Sequence, residues 1–410
     1  MVGGSFLGNS IFSVVGLVAI GLFIKPMSES LGWSRGAISI ALSLRGVFSS
    51  LPGPIVGPWI DRLGPRPFML WGAVASGLST AALALVTQLW QFHLLYGVIG
   101  AVSLIGIGNL VTGTAVSKWF VRKRGRALGI ADLGTAVGIA LLIPVVELLI
   151  SRYGWQGAWV ALGILTTVVM VPASLLMRRE PEQYGLVPDG FATEAWNEQA
   201  GGEAELEPEW TRAQVLRTPT FWLLLLAFNA GGLGLMGVLA HQIPHITDHG
   251  FSDAQAAFAL SIWAVCSGIS RLVFGFLAER IHARYLIAVV MIGSGAGVAL
   301  LLWLPNLWVL YAFAVVYGLF RGAYVLMMTL VWADYYGRRF LGSIRGIATP
   351  LSLVSSAGGP VLAGFLFDAR GDYTLALQVF TACYILAGLL ALMAPPPVRS
   401  TRVEGSPGAL

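Results

Sequence analysis

The sequence predicts an all-α integral membrane protein, with twelve transmembrane helices in two pseudo-symmetric six-helix bundles. Three observations carry this reading. Of the 410 residues, 56% are hydrophobic and only 11% charged, and the mean hydropathy is +0.77. A soluble domain carries about 25% charged residues, so this chain has too few to face water on all sides and must face lipid. Apolar runs of about 20 residues, each long enough to cross a bilayer as a helix, recur along the chain. The two halves also repeat one another.

In chain order the expected spans are 3–24, 38–60, 68–89, 92–117, 127–149, 155–177, 219–241, 254–278, 285–304, 307–333, 344–367 and 373–394. The first lacks a basic start and a small-residue cleavage site and is expected to be a retained span. The second, fifth and eleventh carry "LPGPIVGP", "ALLIPVV" and "TPLSLVSSAGGP", where proline and glycine allow kinks and close helix packing. The fourth holds Asn109 and Thr112 in "GIGNLVTGT", and the fifth holds Glu147 after Pro144. The seventh is expected to close at His241, before the break at Pro244. The eighth has Arg271 as its one charge between Phe258 and Leu277, and the tenth has Arg321 in "YGLFRGAYVLM".

These spans divide the chain into a first bundle over 1–177, a linker over 178–218, a second bundle over 219–396 and a tail over 397–410. The linker holds nine of the twenty acidic residues and few aliphatics, so it reads as solvated. Cys266 and Cys383 both fall in apolar runs and read as buried thiols, with no disulfide or zinc spacing. The net charge of +5 does not point to nucleic acid, because the basic residues sit between apolar runs. With the N-terminus in the cytoplasm, the cytoplasmic loops, linker and tail hold eighteen of the 25 Lys and Arg, and the outer loops hold Lys25, Arg35, Arg152 and Arg370. That bias places both termini in the cytoplasm.

The repeat is visible residue by residue. "GPWIDRLGPRP" begins at Gly57 and "GFLAERIHARY" at Gly275, an offset of 218. Asp61 then matches Glu279, Arg62 matches Arg280 and Arg66 matches Arg284. "WFVRKRGRALGI" at 119–130 faces "YYGRRFLGSIRGI" at 335–347, and Gly154 pairs with Gly371 at an offset of 217.

On these residues the chain resembles the major facilitator superfamily (the MFS fold) over nearly its whole length. Gly57, Asp61, Arg62, Gly64 and Arg66 match that family's Gly-x-x-x-Asp-Arg-x-Gly-x-Arg signature. "FIKPMSESLGWSRGAIS", "KWFVRKRGRALGI" and "WADYYGRRFLGSIRG" are similar to the branch of monocarboxylate transporters and oxalate/formate exchangers. The resemblance implies transport by alternating access, with Asp61, Arg62, Arg66, Glu279 and Arg280 stabilising one conformation of the cycle. It also implies a role for Arg271, because the family's carboxylate transporters use an arginine on the eighth helix. In animal relatives an aspartate precedes that arginine by four residues. Here the position is Ser267, which removes a ready proton partner.

The repeat also separates scaffold from function. A scaffold charge should recur in the other half, and the loop charges do. Arg271, Arg321 and Arg45 map instead onto Gly53, Leu104 and Trp263. An arginine at a helix centre costs about 2.5–3.5 kcal/mol on insertion scales. Three such cations face at most two embedded acids, Asp132 and Glu147, so an organic anion is the expected counter-charge. Substrate contact is assigned to Arg271, Arg321, Asn109, His241 and Arg45, and proton coupling to His241 or Glu147. Bland alternatives stand beside these: Arg45 could snorkel to the outer surface, Arg321 could pair with a neighbouring acid, and Asn109 could serve helix packing. Asp132, five residues into its span, reads as a partner of the basic loop Arg122–Arg126. His245 and His249 read as solvated.

No Walker loop, nucleophile elbow or metal-ligand spacing is present, so no enzyme activity, cofactor or metal is expected. The expected function is a secondary transporter in the cell (inner) membrane, acting as a monomer on a small organic anion, with monocarboxylates moved together with a proton. Three alternatives remain at this stage. An anion exchanger of oxalate/formate type is disfavoured because such relatives carry a lysine on the eleventh helix, where this chain has only Arg345 at the cytoplasmic end. A drug exporter is disfavoured because the fifth span lacks a Gly-Pro pair. A membrane receptor without flux is the third.

Overall fold

The computed structural model describes residues 1–190 and 210–397. The described chain resolves into twelve helical spans. In the first half these are α1 (Val2–Leu31), α2 (Arg35–Ser50 with Gly53–Leu63), α3 (Pro65–Leu85) and α4 (Leu89–Trp119). A continuous stretch Arg124–Leu175 follows. Its 52 residues would run about 78 Å at 1.5 Å per residue, more than twice a bilayer core. It breaks at Gly154, with φ 70° and ψ 174°, into α5 (124–153) and α6 (155–175). Only glycine holds that left-handed corner without strain.

The second half contains α7 (Pro219–Asp248), α8 (Asp253–Leu277), α9 (Ala283–Leu301) and α10 (Leu307–Tyr336). It closes with α11 (Leu341–Leu351 with Leu353–Arg370) and α12 (Thr374–Leu392). Two spans are bent where the sequence carries proline and glycine: α2 turns by 49° between its segments, next to Pro52 and Gly53, and α11 is interrupted at Ser352 beyond Pro350.

Packing repeats with the sequence. In the first half α1 lies on α5, α2 on α4 and α3 on α6; in the second, α7 lies on α11, α8 on α10 and α9 on α12. The halves meet through α2 against α11 and α5 against α8, the same relation taken twice. Outward faces carry large apolar side chains such as Leu78, Leu141, Val265 and Phe365, each at least 65% exposed. On a lipid-embedded protein that is the stable arrangement, since no water meets them.

Three expectations are corrected. α7 does not stop at His241; it runs through Pro244 to Asp248. Nearby side chains take up the last carbonyls, with Thr247 Oγ1 donating to Ile243 and Pro244 and His249 Nδ1 meeting the carbonyl of His245. His245 is not solvated but 3% exposed, with Nε2 at 2.8 Å from the carbonyl of Leu301. The ends of the linker are docked. Asp189 accepts the backbone N–H groups of Val121, Arg122 and Lys123 at 2.9–3.2 Å, and Trp210 is buried with its main-chain N–H on the carbonyl of Tyr336. The acidic run 201–209 and the tail beyond 397 lie outside the described residues.

Candidate functional site

The loops carrying Asp61 and Glu279 share one face of the molecule, here the motif face. Along α2, Gly46, Gly53 and Gly57 recur at seven and four residues and so share one side of the helix. A side chain on Gly57 would collide with the carbonyl of Gly342, and one on Gly53 would come within 2.6 Å of the carbonyl of Gly346; at Gly46 it would meet nothing within 4 Å. α8 repeats the pattern. Gly275 lies against Gly125, the carbonyl of Arg271 lies against Gly129, and at Gly268 the nearest atom is a Leu133 methyl at 3.6 Å. Both inter-bundle helix pairs therefore touch backbone to backbone at the motif face and part away from it.

Charged caps close that face. Asp61 ends its helix on the first bundle and accepts from Gly342 N at 3.0 Å, Ser343 N at 2.7 Å and Ser343 Oγ at 2.8 Å at the start of α11. It also pairs with buried Lys118 at 3.1 Å. Glu279 does the equivalent at the start of α5, accepting from Arg126 N at 3.3 Å and Arg126 Nε at 2.7 Å. In each case an acid from one bundle sits on the positive N-terminus of a helix from the other. Arg124 and Asp334 add a further cross-bundle ion pair at 2.7 Å. Arg62, Arg66 and Arg280 are exposed, with no hydrogen bond or ion pair among the described residues. In this pose the duplicated acids, rather than the arginines beside them, bridge the bundles.

Inside these caps lies a polar layer shared by both halves. Asp132 is 4% exposed. Its Oδ1 accepts from Asn9 Nδ2 and Asn109 Nδ2, both at 3.1 Å. Asn109 Oδ1 accepts from Thr329 Oγ1 at 3.0 Å and from Arg345 Nη2. Arg345, 8% exposed, also donates to Thr114 Oγ1 at 3.2 Å. Arg271 donates from Nη1 to the main-chain carbonyl of Asp132 at 3.1 Å. The charged groups facing the Asp132 carboxyl are Arg271 and Arg345, with no ion pair to either within 4.0 Å.

Arg271 on α8 and Arg321 on α10 stand on helices that pack closely against each other. Gly318 and Gly322 on α10 bring this about. They press against Trp263, Cys266 and Ser267 of α8, where any side chain would come within 2.8 Å of its neighbours. Arg321 is half-buried, its guanidinium carbon 4.8 Å above the Trp263 ring. Among the described residues neither arginine forms an ion pair.

The structure thus brings Arg271 and Asn109 to the Asp132 layer, with Arg321 on the adjacent α10 against Trp263. The other expected site residues are elsewhere. Arg45 does not snorkel. It is 8% exposed, 4.1 Å over the Tyr96 ring, and donates at 3.3 Å to the carbonyls of Val15 and Tyr96. Both carbonyls belong to π-helical turns, Val14–Val18 and His93–Ile99. His241 bridges α7 to the α11–α12 end of its own bundle. Its Nε2 lies 3.0 Å from the carbonyl of Pro360, which can only accept, so Nε2 donates there, and Nδ1 lies 3.1 Å from the Tyr373 hydroxyl. Glu147 is exposed on α5, with no partner among the described residues.

Asp132 and Arg345 are the two residues that sequence reasoning assigned elsewhere. Asp132 does not pair with the Arg122–Arg126 loop; it turns inward. The available signal was spacing: Gly125, Gly129 and Asp132 fall at i, i+4 and i+7, one helical face, and the glycines mark that face as an interface.

Comparison with known proteins gives the family. The family model described as Major Facilitator Superfamily matches residues 6–244 and 235–409. The chain belongs to the Major Facilitator Superfamily. It is a multi-pass membrane transporter rather than an enzyme, and its sequence resembles the monocarboxylate transporters. It is 29% identical over 361 residues to monocarboxylate transporter 12 of Rattus norvegicus, covering 82% of this chain and 72% of that one. To monocarboxylate transporter 1 of the same organism it is 26% identical over 412 residues, covering 94% and 82%. Among solved structures the Escherichia coli fucose:proton symporter FucP matches with a TM-score of 0.71 at 14% identity, covering 96% of this chain and 99% of that one. The human organic anion transporter TETRAN matches with 0.69 at 16% identity, covering 95% and 98%. At such identities these structures speak for the fold.

Proposed function

We propose that this transporter moves small organic anions, monocarboxylates first, together with a proton, by alternating access. One observation carries the reading. Arg271 and Arg321 are cations on closely packed membrane helices, α8 and α10, both partly buried, and neither is ion-paired among the described residues. Each costs about 2.5–3.5 kcal/mol at a helix centre on insertion scales. A carboxylate offers two oxygens that fit the guanidinium fork and relieves that penalty. The names of the similar monocarboxylate transporters support the same class. With both termini cytoplasmic, as the Lys and Arg bias favours, the closed motif face is the cytoplasmic one, and rocking of the bundles would pass the anion from the outer side inward.

The test is uptake into proteoliposomes of labelled lactate, pyruvate, acetate and oxalate under an imposed pH gradient. Wild type is run beside Arg271→Ala and Arg271→Lys. The proposal expects acid-driven uptake of a monocarboxylate, lost in both variants, because an ammonium cannot replace a two-pronged donor. Transport confined to neutral lipophilic compounds, indifferent to either change, would overturn it.

A second reading, exchange of dicarboxylates, is favoured by Arg345. This buried cation on α11 faces the same layer as Arg271. Counterflow of labelled oxalate without a pH gradient would select that reading.

A further inference from the structure

We propose that Asp132 is the proton-binding site of this transporter, and that its uncovered Oδ2 takes the proton when Arg271 turns from it to a substrate carboxylate. The coupling step rests on the anion-transport reading above; the site itself rests on geometry. Asp132 Oδ2 is buried and has no hydrogen-bond partner. Both amide donors in reach, Asn9 and Asn109, converge on Oδ1. An ionised carboxylate accepts at two oxygens, and leaving one bare in a buried site is costly.

The surroundings decide what offsets that cost. From α1 and α4 the carboxyl meets neutral amides. The charged groups facing it are Arg271 from α8 and Arg345 from α11. Arg345 is already engaged by Asn109, Thr114 and Thr329. Arg271 spends a donor on the Asp132 main chain rather than on its carboxylate. The negative charge is therefore held by the field of two cations, without a direct bond from either.

Both cations belong to the second bundle and Asp132 to the first. α5 is fixed to α1 by Ser10 Oγ donating to the carbonyl of Gly134 at 2.8 Å and by Asn9 Nδ2 donating to that of Ala131 at 3.0 Å. When the motif face opens, Asp132 moves with α1 and α5, away from both guanidiniums. When an anion arrives at Arg271, the same compensation is shared with a competitor. Either event leaves Oδ2 negative and bare, and adding one proton, –COO⁻ + H⁺ → –COOH, removes the problem. Release of the anion returns Arg271 to Asp132 and expels the proton. No other bond forms or breaks. His241 and Glu147 are less suited: the histidine has both ring nitrogens engaged, and the glutamate is exposed.

Two measurements on the purified full chain in liposomes test this. The first needs no substrate: infrared difference spectra over a pH titration of wild type, Asp132→Asn and Asp132→Glu. A protonated-carboxyl C=O band that titrates in wild type, vanishes in Asp132→Asn and returns shifted in Asp132→Glu is expected. Absence of such a band in wild type, or its persistence in Asp132→Asn, overturns the proposal. The second is labelled lactate, measured as counterflow at equal pH and as accumulation under a pH gradient. Asp132→Asn should keep counterflow and lose accumulation, falling to the equilibrium distribution, while Asp132→Glu regains it; His241→Gln and Glu147→Gln should still accumulate. Gradient-driven accumulation by Asp132→Asn overturns the coupling role. If the infrared band behaves as expected but wild type moves no carboxylate, the substrate reading fails and the proton site stands.

Discussion

Replacing Asp61 by asparagine should tip the protein away from the pose described here. Asp61 bridges the bundles through the N–H groups of Gly342 and Ser343 at the start of α11. Hydrogen bonds to a charged group are worth about 1.5–3 kcal/mol, against about 0.5–1.5 for neutral pairs. An amide also has one accepting oxygen where the carboxylate has two, so one of the two N–H groups loses its acceptor. The change across the interface is therefore about 2–3 kcal/mol, and at about 1.4 kcal/mol per decade that is roughly a 30- to 150-fold shift between closed and open populations. The ion pair to Lys118 is lost as well, and both partners lie in the first bundle. Both are buried at the inter-bundle face, so the loss leaves a buried cation unpaired in the closed pose and acts in the same direction. Spin labels at Arg62→Cys and Arg280→Cys, in a background lacking Cys266 and Cys383, report the separation directly, since both positions are exposed and lie on opposite bundles. A growing long-distance population is expected. An unchanged distance distribution in a folded Asp61→Asn protein would refute the capping argument.

Other predictions follow from single contacts. Gly57→Val and Gly125→Val each put a side chain into an opposing backbone, at Gly342 and Gly275; both should trap the motif face open, seen as faster labelling of a cysteine at Ser343 and loss of net uptake. Arg45→Ala removes two hydrogen bonds and a ring contact inside the first bundle; it should lower stability by about 2–4 kcal/mol, read as a drop in the detergent melting temperature with little change in substrate specificity. Asp372 accepts the backbone N–H of Thr374 at the start of α12, which holds its carboxyl below the ordinary range. The depressed value means the cap is fully present above the unfolded-state pKa and is lost as pH falls through the folded one, so amide protection at 374–376, measured against the intrinsic exchange rate at each pH, should fall in acid, and Asp372→Asn should flatten that pH dependence.

Much of the architecture was legible because a bilayer constrains the chain severely. Span length, the 217–218 offset and the absence of repeat partners for Arg45, Arg271 and Arg321 all come from the sequence. The duplication of Asp61 and Glu279 was legible for the same reason, and both cap helices of the opposite bundle. What was not legible was depth. Asp132 and Arg345 lie only a few residues inside their own helices, which reads as near the surface. In the folded chain the motif face is sealed by α2 on α11 and α5 on α8, so the first turns of α5 and α11 become interior. Distance from a helix end measures burial only when nothing covers that end, and the covering helices come from the other half of the chain. Arg45 failed the opposite way: its depth was right, but its acceptors are carbonyls of two π-helical turns, which no side-chain pattern announces.

The corner at Gly154 joins α5 to α6 through one left-handed residue, leaving no slack between them on the face opposite the motif face. An antibody fragment raised against residues 152–156 would therefore meet a rigid epitope, locked to the first bundle through every turnover. Such a reagent could serve as a fiducial for single-particle imaging, tracking the bundle's tilt without bracing it against its partner.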